Sequence, residues 1–315
     1  VFRFGDGLLV RRDRAVLGVW PVRRFFLHES GDPLFDRLAV EDNGLPCRPG
    51  VDRVAALSLL LAQAAGEVVF GGVDAGFAAD LHQAAGLSGH RVRTVREAPR
   101  YWVDLNEARR HGPTSLTWAS PATRAAIRRS NRLYSELHVD EPGGVADALD
   151  WFAALRDLHV VRWQREGHLG AFANPAFGPV HRQFLAEAVP QGLATILRVR
   201  AGDRAIGYLY LLFGRGWAHS YQSGFVQETD NRLKPGLSAH AAAIAWAAGR
   251  GLAAYDLMAG EARYKRELAT HSAPMFWLTA TPDRWPWRTE EGLRRLKAAL
   301  LTPRTPSPPC PAPPG

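Results

Sequence analysis

The sequence predicts an α/β (α+β) fold of two related halves, each a mixed, mostly antiparallel twisted sheet flanked by helices. Three observations carry that reading. "VRRDRAVLGVW" (10–20) and "VRAGDRAIGYLY" (199–210) both read as strand, polar turn and strand, and share Asp-Arg-Ala, an aliphatic residue and Gly. "RPGV" (48–51) and "KPGL" (234–237) each open an apolar helix. At similar offsets, "EVVFGGV" (67–73) and "AAYDLMA" (253–259) follow as strands, each with a helical segment after it. Matches that recur in one order mark an internal repeat.

The elements follow in turn. Helix 51–65 and strand 67–73 build the first half, which closes on "RYWVDL" (100–105) and runs to about residue 112. The second half, 113–301, opens with a basic helix near 118–135. Apolar residues at helical spacing predict long helices over 145–166 and 176–189. Alternation predicts strands 194–200, 204–213 and 217–225. Helix 237–249, strand 253–258, helix 261–269, strand 275–281 and helix 289–300 complete it. The proline-rich segment 302–315, "TPRTPSPPCPAPPG", is expected to be disordered.

Hydrophobic residues make up 46% of the chain, enough for one large core or two ordinary ones. No apolar run reaches the length of a membrane span. Cys47 and Cys310 lie too far apart in sequence to form a disulfide framework or a cysteine-based zinc site, which fits a reducing, cytoplasmic setting. The net charge of +8 raises a nucleic-acid or anionic-polymer reading. Its arginines are dispersed among 31 acids, and a groove for a phosphorylated small molecule gives the same balance.

Of 39 basic residues, only Lys234, Lys265 and Lys297 are lysines. A chain that uses arginine for any positive charge keeps a lysine where a compact, rotatable ammonium is needed. With a helix starting near Gly260, Glu261, Tyr264 and Lys265 share one face. There Glu261 is a candidate to take a proton from an incoming amine or hydroxyl, and Lys265 to stabilise an oxyanion or grip an anionic acceptor. The same spacing suits a surface Glu–Lys pair of about 0.2–0.5 kcal/mol. Upstream, His159, Arg162 and Trp163 lie on one face of helix 145–166, and Arg128 lies on the basic helix. These are candidates for acceptor binding or for ordinary packing and solvation. Asp256 marks a strand end, where open α/β sites gather; His219 and His240 are further titratable candidates.

The turn "RLKPGLS" (232–238), with the run from "YLYLLFGRGW" (208–217) to "YDLMAGEARYKRELA" (255–269), resembles the GNAT acyltransferases, in their CelD/BioF2-like branch. Pro235 stands where that turn usually has its first glycine, and Gly236 falls one place later. The doubled architecture is similar to the Fem-type transferases, which use aminoacyl-tRNA. The resemblance implies two GNAT-like halves, the first catalytically silent, and acetyl-CoA or another acyl-CoA as co-substrate, without a metal. Arg232, Lys234, Gly236, Leu237 and Ser238 would hold its pyrophosphate at a helix N-terminus. A backbone N–H near Gln222 or Ser223 would bond the acyl carbonyl, and Tyr264 would protonate the leaving thiolate. The partners implied are a small-molecule acyl donor and an acceptor amine or hydroxyl of sugar-like or envelope type. The alternatives are transfer from aminoacyl-tRNA and a non-catalytic basic protein binding nucleic acid or an anionic polymer.

Overall fold

The computed structural model describes residues 2–4, 7–36, 41–112 and 114–301; the proline-rich tail lies outside the described residues. In chain order the first half contains β1 (Phe2–Phe4), β2 (Gly7–Arg11), β3 (Arg14–Val16), β4 (Trp20–Val22), β5 (Arg24–Leu27), α1 (Pro33–Asp36), α2 (Arg53–Ala64), β6 (Glu67–Asp74), α3 (Ala75–Leu87), β7 (His90–Asp104) and α4 (Leu105–Arg110). The second contains α5 (Pro121–Tyr134), β8 (Leu137–Asp140), α6 (Val145–Arg165), a short 3-10 turn (Ala171–Ala173) and α7 (Phe177–Ala188). It continues with β9 (Ala194–Ala201), β10 (Arg204–Gly214), β11 (Trp217–Phe225), α8 (Pro235–Gly249), β12 (Ala254–Ala259), α9 (Arg263–Leu268), β13 (His271–Pro282) and α10 (Trp287–Leu301).

Eleven strands form one sheet in the order β1-β2-β5-β6-β13-β7-β12-β11-β10-β9-β8. The repeat is visible in its pairing. β5 and β6 run parallel with α2 between them in sequence, as β11 and β12 run parallel around α8. The last strand of each half is exchanged: β7 lies against β12, and β13 lies against β6, while β7 and β13 pair with each other from His271↔Trp102 to Pro282↔His90. The fold is thus a tandem of GNAT-like halves sharing one mixed, mostly antiparallel sheet.

Residues 10–20 do not form the expected arm of a hairpin. β2 pairs with β5, and β3 pairs with β4 in a separate two-stranded ribbon. The cause is a tight turn: Val19 N–H donates to the Val16 carbonyl across Leu17 and Gly18, both at positive φ. That geometry is a type I′ hairpin turn, and it moves the reversal from Asp13 to Gly18. Strand 100–105 proves to be the end of the much longer β7. α8 begins at Pro235, and α9 only at Arg263.

Three apolar clusters hold the sheet. α2 and α3 pack on the first half through Leu57, Leu61, Phe77 and Leu81. α8 packs on one face of the second half, with Ile244, Ala247, Tyr255 and Leu257 buried. α6 and α7 cover the opposite face through Phe152, Leu155, Phe177 and Tyr210. Burial of each such side chain contributes about 1.5–3 kcal/mol.

Candidate active site

β11 and β12 pair over three residues only, Trp217↔Ala254, Ala218↔Tyr255 and His219↔Asp256, and then part. Each strand carries an irregularity that drives the separation. β11 bulges at Tyr221, where its register against β10 jumps from Ser220↔Leu211 to Gln222↔Tyr210. β12 turns at Met258, whose φ is 65°. A bulge bends its strand and re-aims the side chains around it. The result is a gap in the middle of the sheet, roofed by α6. A Cβ on Gly224 would collide with the Leu155 carbonyl, so glycine is what lets α6 lie on β11. His159, 4% exposed, fixes the crossing by donating its Nδ1–H to the Ser223 carbonyl at 3.2 Å.

Alternation along β12 turns Tyr255 toward α8 and Asp256 toward the other face. On the α8 face lies a cavity of about 240 Å³ lined by Arg162, Phe225, Lys234, Gly236, Leu237, His240 and Tyr264, among others. Arg162 belongs to α6, so the gap connects the two faces of the sheet. Tyr264 stacks on His240 at 5.3 Å, and burial pushes its phenol pKa up. His240 is held neutral by burial, its pKa lowered to about 3, and its Nδ1 hydrogen-bonds the Tyr255 hydroxyl at 3.0 Å. Among the described residues, the Gly236 and Leu237 N–H groups have no backbone acceptor. They open α8, where free N–H groups and the helix dipole favour an anion.

On the other face Asp256 is fully buried and organises the root of the gap. Its Oδ2 accepts the Nδ1–H of His219 at 2.7 Å and Arg100 Nη2 at 2.8 Å. Its Oδ1 accepts the Met258 N–H at 2.9 Å and Arg100 Nε at 3.2 Å. Burial raises the Asp256 pKa, but the bonds from His219 and Arg100 outweigh it and leave the pKa below the ordinary value. The dyad thereby fixes one His219 tautomer, with Nε2 as the nitrogen left to accept a proton. His219 faces a cleft of about 440 Å³ with Glu41, Asp42, Asp74, Arg100 and Trp217. Lys265 donates to the Ala259 carbonyl at 2.7 Å and, more weakly, to that of Met258 at 3.4 Å. Burial lowers its pKa, while Glu41 and Asp256 act in the opposite direction.

The cavity on the α8 face brings together Arg162, Lys234, Gly236, Leu237 and Tyr264; Gln222 and Ser223 lie on β11 beyond its last pair with β12, Asp256 is the last β12 residue of that pairing, and Lys265 bonds the end of β12. Other expected residues stand elsewhere. Glu261 precedes α9 and is exposed, so the shared face with Tyr264 and Lys265 does not form; Ala262 takes the N-cap and the helix starts two residues later than expected. Glu41, from the first half, acts on Lys265 together with Asp256. Arg232 turns back on Asp230, with Nη2 to Oδ2 at 2.8 Å. Ser238 is buried against Ser130 at 2.8 Å and does not face the α8 mouth; Ser130 instead takes the Lys234 N–H. His159 and Trp163 pack together with Phe172, and Arg128 bonds the Ser115 carbonyl from the exposed side of α5. The dyad of His219 and Asp256, with Arg100 and Glu41, has no local signature, because only the sheet pairing brings these residues together.

A central gap between two parting parallel strands, entered from both faces, defines an acyltransferase-like architecture. Residues 121–266 match the model of an acetyltransferase (GNAT) domain. Three solved structures share the fold across both halves. FemX has a TM-score of 0.54 and 12% identity over 94% of this chain and 88% of its own. The C-terminal domain of a putative lysylphosphatidylglycerol synthetase from Agrobacterium fabrum has a TM-score of 0.53 and 14% identity over 95% and 89%. L-PGS from Bacillus licheniformis has a TM-score of 0.52 and 14% identity over 93% and 90%. No curated protein matches the sequence.

Proposed function

We propose that the protein transfers an aminoacyl group from aminoacyl-tRNA to an amine or hydroxyl acceptor, with the chemistry in the gap between β11 and β12. The observation that carries the site is the parting of these strands directly beyond the His219–Asp256 pair. The acceptor nitrogen or oxygen attacks the ester carbonyl and gives its proton to His219 Nε2. Asp256 holds the imidazolium that forms, and Arg100 keeps Asp256 ionised. Lys265 stabilises the developing oxyanion. As the carbonyl–oxygen bond to the ribose breaks, Tyr264 supplies the proton to the departing oxygen. The N-terminal half, 1–112, acts as scaffold and supplies Glu41, Asp42, Asp74 and Arg100 to the acceptor cleft; 113–301 supplies the rest.

The donor assignment is supported by extent. Likeness to FemX and to the two lysylphosphatidylglycerol synthetase structures covers nearly the whole chain, whereas the acetyltransferase domain ends at residue 266. A lysylphosphatidylglycerol synthetase makes an aminoacyl ester by name, and Fem-type enzymes draw on aminoacyl-tRNA. A net charge of +8 suits a polyanionic donor. One observation favours acyl-CoA as a second reading: the open N–H groups of Gly236 and Leu237 beside a cavity of about 240 Å³. Protein incubated with a mixture of charged tRNAs, and separately with acyl-CoA species, should discharge the tRNA faster than buffer alone. Discharge of acyl-CoA alone moves the donor to coenzyme A, and discharge of neither removes both readings.

A further inference from the structure

α10 is built inside out. Its two acids face the body of the protein: Glu290 accepts Arg14 of β3 at 2.8 Å, and Glu291 lies 3.9 Å from Arg93 of β7. Its leucines face solvent. Leu293, Leu296 and Leu300 are 51%, 57% and 76% exposed, and their spacing of i, i+3 and i+7 forms one stripe. Further apolar groups are exposed ahead of the helix start. Trp285, 58% exposed, meets Trp20 edge-on at 4.3 Å, and Val19 stands at the tip of the β3–β4 ribbon, 68% exposed. Isolated exposed leucines need no explanation, but a stripe along one helix with two exposed tryptophans ahead of it does.

We propose that this face docks on an anionic membrane surface. Charge complementarity selects that occupant. α10 carries four cations, Arg288, Arg294, Arg295 and Lys297, against two acids, and although Arg288 pairs with Asp283, Arg294 with Glu290 and Arg295 with Glu291, the flanks of the stripe keep a cationic surplus, with Lys297 exposed beside it. Leucines between cationic flanks, with tryptophan at the margin, suit a helix lying in a headgroup layer. A second copy of the chain would bring those cations against their like, and an RNA would leave the leucines without a partner. No described helix is long and apolar enough to cross a membrane.

The test is flotation of the full chain with vesicles of phosphatidylcholine alone or mixed equally with phosphatidylglycerol. The protein should float with the mixed vesicles only, and less as salt rises. Leu296→Glu with Leu300→Glu should lower the bound fraction about tenfold or more at an unchanged melting temperature, since both side chains are solvent-facing. Arg295→Glu with Lys297→Glu should reduce the preference for phosphatidylglycerol. Failure of the wild-type chain to float overturns the proposal. So does a dimer in light scattering that the leucine variant abolishes, or RNA binding that matches vesicle binding and is lost with the cation variant.

Discussion

His219 and Asp256 are 37 residues apart in sequence, and Arg100 and Asp256 are 156 apart, yet the three side chains form one hydrogen-bonded unit. His219→Gln keeps a hydrogen bond to Asp256 but removes the proton acceptor. Turnover should fall about 10²- to 10⁴-fold with little change in melting temperature. Equal turnover in variant and wild type would remove His219 from the chemistry. Asp256→Ala acts on both stability and turnover, because it leaves the buried Arg100 guanidinium with Asp42 as its carboxylate; a loss of about 3 kcal/mol in denaturant unfolding is expected. Glu261→Gln, at an exposed position ahead of α9, should leave turnover within about twofold, whereas Lys265→Ala should lower it at least about a hundredfold. The contrast shows how far local spacing reaches. The placing of Tyr264 and Lys265 together on a helix after the strand was legible; the helix start that leaves Glu261 outside α9 was not, because Ala262 offers no side-chain cap to announce it.

At the scale of elements, the gap depends on how α6 lies on β11. Gly224→Ala places a methyl group against the Leu155 carbonyl and the Leu158 Cβ. Overpacking of that kind costs about 1–3 kcal/mol, and a lower unfolding midpoint with weakened turnover is the expected pair of results. The helices on both faces also carry a pH signature. His181 on α7, between the Tyr210 and Tyr221 hydroxyls, has its pKa lowered by burial to about 4, and His240 on α8 to about 3. Near pH 6.5 the unfolded chain begins to protonate these histidines while the folded one does not. Stability should therefore be level above that pH and fall as pH drops toward 4, the range in which the unfolded chain binds more protons. Melting curves from pH 7 to 5 should show the fall, and His181→Gln, which cannot titrate, should flatten it; parallel curves for variant and wild type would contradict the assignment. The elements themselves were largely legible. Alternation and helical spacing located β9 to β12, α6 and α7, but the ribbon at 14–22 was misread because "AVLGVW" hides its turn in Leu17–Gly18.

At the scale of the molecule, the repeat was legible as an order of elements, whereas the exchange of β7 and β13 was not, since strand partners across halves leave no periodicity in either strand. That exchange makes the halves one thermodynamic unit. Calorimetry should give a single cooperative transition, and residues 113–301 expressed alone, without β7 to cover β12, should not fold; two separate transitions would contradict this. It also builds the proposed acceptor cleft from both halves, with Glu41, Asp42 and Arg100 facing His219 and Trp217. Acyl transfer in the gap between β11 and β12 is tested most directly by single-turnover discharge of labelled aminoacyl-tRNA by wild-type and His219→Gln protein. The wild type should discharge it, with the label passing to an amine or hydroxyl acceptor, and the variant at a rate at least about a hundredfold lower. Equal rates in the two proteins, or no discharge by the wild type, would contradict this.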